Sequence, residues 1–231
     1  MLSPVSLDAY DSFGNHTGMA PNPIPGSDLL LKEENIPNSY YEEFGEGKYI
    51  GLPGDEAYSI ILKGLGTGTF TFEITPVVGG EEQRPQSYAD IPVTPSTTAT
   101  LTIDASGSPG PLALDQNGDG KADATVASPA QITDPLAYTK LVIAGISAMD
   151  MGFATKQQLL ARFAGVAGLI PANKIAKVKE RTLKMLNDIE LYVKKQLARS
   201  AKQKPNALER ITPEQAEALL NMVITLRSLV Q

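Results

Sequence analysis

Residues 69–75 read TFTFEIT, and this stretch decides the fold class of the first half of the chain. Apolar and polar residues alternate with a period of two, which places Phe70, Phe72 and Ile74 on one face of an extended strand. Residues 98–103, TATLTI, alternate in the same way. Both segments are therefore predicted to be strands with one buried face.

Three further short segments, at residues 5–10, 48–52 and 58–62, have the composition of strands. Residues 14–38 are rich in Gly, Pro and Asn and are predicted to form a long surface loop. Short strands at close spacing, with turn residues between them, are typical of an antiparallel sandwich. The first half is therefore predicted to be a β-sandwich of immunoglobulin-like type.

Charge divides the chain into two parts. Residues 1–128 contain 18 Asp and Glu against 5 Lys and Arg, a net charge of −13. Residues 129–231 contain 8 against 15, a net charge of +7, and Gly and Pro become sparse after Pro135. These changes predict two domains, 1–128 and 129–231, with the boundary within residues 127–134.

Composition excludes several classes of protein. Apolar residues make up 42% of the 231 residues, which is enough for a core. No apolar run approaches the roughly 18 residues of a transmembrane helix. The N-terminus lacks the basic region and the apolar stretch of a signal peptide. The absence of cysteine excludes disulfides and thiolate metal sites.

The second half of the chain has the pattern of helices. Asp134 followed by Pro135 predicts the start of a first helix that runs to about residue 149. Gly152 is predicted to break the helical pattern, and Thr155 to cap a second helix that ends at Gly168.

Two more helices complete the prediction. Pro171 is predicted to open a long third helix, which carries an apolar stripe. Residues 212–215, TPEQ, form a capping box with Pro in the first turn of a fourth helix. The second half is therefore predicted to be a compact four-helix bundle. The overall fold class is β plus α in two domains.

One motif carries chemistry. Residues 115–123 read DQNGDGKAD, which matches the pattern D-x-N-x-D-G-x-x-D. Oxygen ligands at alternate positions of such a loop can surround a hard cation, and Ca²⁺ accepts their irregular geometry better than Mg²⁺ does. Gly120 allows the sharp turn. The predicted ligands are the side chains of Asp115, Asn117, Asp119 and Asp123 and the backbone carbonyl of Lys121.

The loop differs from that of an EF-hand. Val126 stands where the bidentate Glu would be, and no helical pattern precedes Asp115. The role predicted for Ca²⁺ is structural, and its abundance outside cells favours an extracellular or cell-surface location. The alternative is a polar turn that binds no metal.

His16, the only histidine in the chain, is a weak catalytic candidate. With Asp8, Asp11 and Ser12 nearby in sequence, it could be part of a catalytic triad. No nucleophile elbow accompanies them, so the prediction is a histidine in a surface loop. The chain is predicted not to be an enzyme.

Other polar segments have simple interpretations. Residues 64–68, GLGTG, are predicted to form a hairpin turn because no helix follows them, as a phosphate-binding loop would need. The acidic pairs at 42–43 and 81–82 are predicted to be solvated. Residues 174–204 contain ten Lys and Arg, which form either a solvated face or a patch for an anionic cell-surface polymer. Nucleic acid is excluded as a partner because the chain is acidic overall.

A family resemblance rests on three helical segments. Residues 159–163 read LLARF, residues 183–193 read LKMLNDIELYV, and residues 210–220 read RITPEQAEALL. With these segments, the second half resembles the helical module at the C-terminus of many secreted bacterial proteins, often called the FIMAH domain. The first half is similar to β-modules of large exported bacterial proteins. The resemblance implies a non-catalytic part of a longer exported protein.

Three functions stay open at this point. The first is a calcium-stabilised accessory or attachment region, whose partners are the remainder of an exported protein or neighbouring subunits. The second is a self-assembling filament or array subunit, in which the oppositely charged halves meet head to tail. The third is a hydrolase that acts through carboxylates, for which the sequence offers no convergent site.

Overall fold

The structure is a computed structural model of a mixed β and α protein. It describes residues 4–45, 47–126, 134–172, 176–200 and 211–231. The chain divides into two compact units. The β unit comprises residues 1–65, 72–88 and 95–130, and the helical unit comprises residues 66–71, 89–94 and 131–231. The predicted boundary at 127–134 lies outside the described residues, apart from Asp134.

The described residues form thirteen strands. In chain order they are β1 Asp8–Asp11, β2 His16–Pro21, β3 Leu30–Glu34, β4 Tyr40–Phe44, β5 Gly47–Gly51, β6 Tyr58–Lys63, β7 Gly68–Ile74, β8 Val77–Val78, β9 Glu81–Glu82, β10 Gln86–Val93, β11 Thr98–Ile103, β12 Leu112–Asp115 and β13 Ala124–Val126.

Seven of these strands form one sheet in the order β13-β12-β11-β6-β1-β2-β3, and every neighbouring pair in it is antiparallel. The central register aligns Ala9 with Ile60 and Ile60 with Leu101, and all three side chains are buried. This row confirms the strand predicted from composition at 58–62 and the strand predicted from alternation at 98–103.

The segment at residues 69–75 is also a strand, β7. Phe70 and Phe72 are buried and Ile74 is half-buried, while Thr71 and Glu73 between them are exposed. The Phe72 ring stacks on Tyr88 with 6.1 Å between the ring centroids. The predicted apolar face is therefore confirmed, and burial of its aromatic side chains stabilises the fold.

The predicted surface loop at residues 14–38 is wrong. It contains β2 and β3, which pair from Thr17–Glu34 to Pro21–Leu30. Along β3 four of the five residues are exposed and the other one, Glu33, is half-buried. No alternation of buried and exposed residues therefore marks it as a strand. Polar and charged residues are common on the outermost strand of a sheet, which explains why composition indicated a loop.

Four α-helices follow. They are α1 Pro135–Ala148, α2 Phe153–Leu169, α3 Ala176–Ser200 and α4 Pro213–Val230. The Asp134 carboxylate accepts a hydrogen bond of 2.9 Å from the N–H of Leu136 and caps α1. Thr212 and Gln215 form the predicted capping box of α4, with bonds of 3.2 and 3.0 Å. Both helix starts predicted from caps are confirmed.

Two predicted helix starts are wrong. Gly152, not Thr155, is the N-cap of α2, and Thr155 is buried inside the helix. That helix ends at Leu169, one residue after the predicted end at Gly168. Pro171 lies in a short 3-10 helix, Ile170–Ala172, and does not open α3. Packing determines these helix boundaries more than local capping residues do. The buried face of Thr155, Leu159, Phe163 and Val166 extends through this region.

The helices share one hydrophobic core. α2 contributes Leu159 and Phe163, α3 contributes Leu186, and α4 contributes Leu219 and Leu226, all with no exposed surface. The stripe predicted on the third helix begins at Ile175, which lies outside the described residues. None of the described helices combines the length and apolar character needed to cross a membrane.

Polar contacts join α3 to α4 beside this core. Glu190 accepts a hydrogen bond of 2.6 Å from the Arg227 guanidinium and another of 2.6 Å from Lys194. The Arg227 and Lys194 bonds lower the pKa of Glu190 below its ordinary value. The carboxylate is therefore charged at neutral pH and connects α3 to α4 through Arg227. In the described part of α3, the remaining Lys and Arg are largely on its solvent side.

Candidate metal site

The predicted calcium loop connects two paired strands. Asp115 is the last residue of β12, and β13 begins at Ala124, one residue after Asp123. The strands pair from Leu112–Val126 to Leu114–Ala124, and the N–H of Asp123 donates to the carbonyl of Leu114 at 2.8 Å. The sheet therefore holds the two ends of the loop together and brings the first and last predicted ligands close in space.

Asp115 organises the first part of the loop. One carboxylate oxygen accepts the N–H of Gly118 at 2.7 Å, and the other accepts the N–H of Gly120 at 2.8 Å. Partial burial raises the pKa of Asp115, but the N–H groups of Gly120 and Gly118 stabilise the charged form more, so the pKa lies below its ordinary value. Asp115 is therefore anionic at neutral pH.

The other predicted side-chain ligands also turn into the loop. The amide oxygen of Asn117 accepts the N–H of Asp119 at 2.8 Å, and Asp119 accepts the N–H of Lys121 at 2.9 Å. Asp123 accepts the N–H of Gln116 at 2.8 Å and the side-chain N–H of Asn117 at 3.3 Å. The side chains of Asp115, Asn117, Asp119 and Asp123 thus hold the loop in a closed turn. Lys121, whose backbone carbonyl is the fifth predicted ligand, is part of this turn.

Glycine is required at two positions of this turn. Gly118 has a φ of 78° and Gly120 a φ of 82°, a left-handed conformation that costs little only for glycine. The predicted role of Gly120 in the sharp turn is confirmed. A side chain at Gly118 would also come within 3.3 Å of the Ser96 carbonyl.

The donor set has the chemistry that a hard cation needs. Three carboxylates, one amide oxygen and one backbone carbonyl are all oxygen ligands, which Ca²⁺ prefers. Within the described ranges, no three histidine, aspartate or glutamate side chains converge closely enough to hold a metal by themselves. A cation in this loop would therefore depend on the Asn117 amide and the Lys121 carbonyl as well as on the carboxylates.

His16 is buried, so its predicted place in a surface loop is wrong. It lies in β2, and its ring is between two carboxylates: Nδ1 is 2.8 Å from Glu33 Oε2 and Nε2 is 3.1 Å from Asp8 Oδ1. The Tyr10 ring lies against it at 4.7 Å. Both ring nitrogens are thus engaged in a structural contact that ties β1, β2 and β3 together.

Asp11, another residue considered for a catalytic triad, has a local structural role. Its carboxylate accepts the N–H groups of Phe13 and Asn15 at 2.9 and 2.8 Å and the Asn15 side-chain N–H at 2.7 Å. These bonds close the turn between β1 and β2. The pKa of Asp11 is raised by partial burial but lowered more by these hydrogen bonds, so it lies below its ordinary value.

Two features escaped sequence reasoning. Glu33 is a partner of His16, and only the pairing of β2 with β3 reveals this, because 17 residues separate them. The hairpin of β4 and β5 carries exposed aromatic residues beside glycines. Its sequence signal is the alternation of Gly and Tyr at residues 47–51, GKYIG.

Comparisons of the chain with models of protein families, with curated proteins and with solved structures gave no match.

Proposed function

We propose that this chain is a non-catalytic accessory or attachment region of an exported bacterial surface protein, stabilised by one Ca²⁺ in the loop at 115–123. The observation that carries the proposal is that the loop is closed by the side chains of its predicted ligands. The ligands are the side chains of Asp115, Asn117, Asp119 and Asp123 and the carbonyl of Lys121. Bound Ca²⁺ would supply positive charge that offsets the repulsion among three carboxylates.

The proposed fold assigns an immunoglobulin-like sandwich to the first half and a four-helix bundle to the second. The seven-stranded antiparallel sheet supports the former, and the shared core of four helices supports the latter. The extracellular location is proposed from the calcium chemistry and from the resemblance to secreted bacterial modules.

A second candidate is a self-assembling surface subunit. The net charges of −13 for residues 1–128 and +7 for residues 129–231 favour a head-to-tail contact between copies. We expect such oligomers to dissociate as salt is raised from about 50 to 500 mM, because screening weakens contacts between exposed charges. Light scattering over this range separates the candidates, since an attachment region alone predicts the same mass throughout.

Thermal unfolding with Ca²⁺ and with a chelator tests the main proposal. At a concentration one hundred times its Kd, Ca²⁺ should stabilise the folded state by about 2.7 kcal/mol and raise the unfolding midpoint. Asp119→Asn keeps an oxygen that can accept the Lys121 N–H but removes the charge, so this variant should lose most of the response.

Asp104→Asn is the matched control for this experiment. Asp104 also accepts loop N–H groups, those of Ser106 and Ser108, each at 2.9 Å, but it is not part of the motif. The control should be less stable than the parent yet keep the full response to Ca²⁺. Equal midpoints for the parent with Ca²⁺ and with chelator would reject the calcium site.

A further inference from the structure

The hairpin of β4 and β5 presents an aromatic face. The register pairs Tyr40 with Gly51, Glu42 with Tyr49 and Phe44 with Gly47, so these six residues share one face. Tyr41, on the opposite face, is buried in the β unit. We call the exposed rings of Tyr40, Phe44 and Tyr49 the aromatic platform.

Glycines allow two of the rings to lie flat on the backbone. A Cβ added to Gly51 would be 2.0 Å from the Tyr40 ring, and one added to Gly47 would be 2.7 Å from the Tyr49 hydroxyl and 2.8 Å from its ring. No other residue type leaves this space, because any side chain would displace the ring. The rings are thus held against the hairpin with their outer surfaces free.

Exposure agrees with this geometry. Tyr40 is 52% exposed and Tyr49 is 55% exposed, as expected when one face of each ring is covered and the other is open. Phe44, beside them, is 83% exposed. Exposed aromatic rings cost free energy in water, so a ligand that covers them is favoured.

The size of the platform argues against a protein partner. At these exposures the three rings offer about 400 Å² of surface. A stable protein interface buries about 800 Å² on each partner. A narrow ligand that lies along the rings is the better match.

The negative charge around the platform limits which classes of ligand can bind there. The surrounding residues 1–128 carry a net charge of −13, which repels nucleic acids and anionic lipids. Glu42 lies on the platform directly opposite Tyr49. The π faces of the rings are negative and attract both C–H groups and ammonium groups.

We propose that the aromatic platform binds a chain of pyranose sugars that carry amino groups. The flat C–H faces of the sugar rings would stack on Tyr40 and Tyr49, and an ammonium group would pair with Glu42. The inference rests on the attachment role proposed above and gives that role a ligand class. Its site is remote in sequence from the calcium loop, so the two proposals can fail separately.

Calorimetric titration of the full chain with a glucosamine hexamer tests the proposal. We expect binding by the parent and about tenfold weaker binding by Tyr40→Ala and by Tyr49→Ala, because each removes one stacking ring. Gly51→Ala keeps every aromatic ring but displaces Tyr40, and it should weaken binding to a similar extent. Phe13→Ala removes an exposed ring outside the hairpin and should bind like the parent.

Two comparison ligands test the specificity. The N-acetylated hexamer, which lacks the charge, should bind more weakly than the glucosamine hexamer, and Glu42→Gln should remove that difference. Hexalysine should bind far more weakly than the glucosamine hexamer. Equal or tighter binding of hexalysine, or no binding of either sugar, would overturn the proposal.

Each titration is made with Ca²⁺ and with chelator, and circular dichroism checks that every variant is folded. Sugar binding without any calcium response would reject the calcium site alone. A calcium response without sugar binding would reject the platform as a sugar site and leave the loop in place.

Discussion

Replacing His16 with alanine is expected to lower the free energy of unfolding of the β unit by about 3 kcal/mol. His16 is 9% exposed and Asp8, one of its partners, is 7% exposed. Both ring nitrogens lie within hydrogen-bonding distance of carboxylate oxygens, Nε2 at 3.1 Å from Asp8 and Nδ1 at 2.8 Å from Glu33. Alanine would leave the Asp8 carboxylate buried without this partner.

The neighbours of His16 cannot replace it. Ser6 donates one hydrogen bond of 2.8 Å to Oδ2 of Asp8, whereas His16 contacts the other oxygen, Oδ1. Gly18 packs so closely that an added Cβ would lie 2.6 Å from Asp8 and 2.9 Å from His16. Removing the imidazole also takes away the ring that Tyr10 contacts.

Hydrogen exchange measures the effect within the β unit, since a chain of two units need not unfold in one step. The double variant Asp8→Ala with His16→Ala should lose clearly less than the sum of the two single variants, because each single change leaves an unpaired group. Additive losses, or a loss below about 0.5 kcal/mol for His16→Ala, would show that the contact between His16 and Asp8 does not stabilise the β unit.

The strands predicted from alternation of residue types are strands with one buried face. In β7 and β11 the alternation of residue types follows directly from burial on one side of the strand. Each segment is therefore enough by itself to predict a strand. The helix starts at Asp134 and Thr212 were predictable for a similar reason, since each cap binds a residue only two or three positions away.

β2 and β3 could not be found in this way. Their strand identity depends on pairing with each other and, through β2, with β1. Pro21 and the charged residues of β3 are tolerated at the side of a sheet but have the composition of a loop. The same dependence on distant contacts hid the burial of His16.

The two candidate sites also differ in whether their residues lie in one short segment or come together only through strand pairing. The ligand set at 115–123 lies within nine residues, and its spacing alone indicates the chemistry. The aromatic platform depends on register, because Tyr40 lies on Gly51, eleven positions along the chain. Only the structure places that ring over that glycine.

The second large effect is expected in the core of the helical unit. Phe163→Ala should lower its free energy of unfolding by about 4 kcal/mol, because it removes a fully buried ring and leaves a cavity.

Phe153→Ala on the same helix is the matched control. This ring is 78% exposed, so its removal should change the free energy by less than about 0.5 kcal/mol. Phe163→Leu fills part of the space and should fall between the two. Hydrogen exchange of residues in α2 and α4 gives all three values. Similar losses for Phe163→Ala and Phe153→Ala would mean that Phe163 does not hold the helices together, since burial is the property in which the two positions differ most.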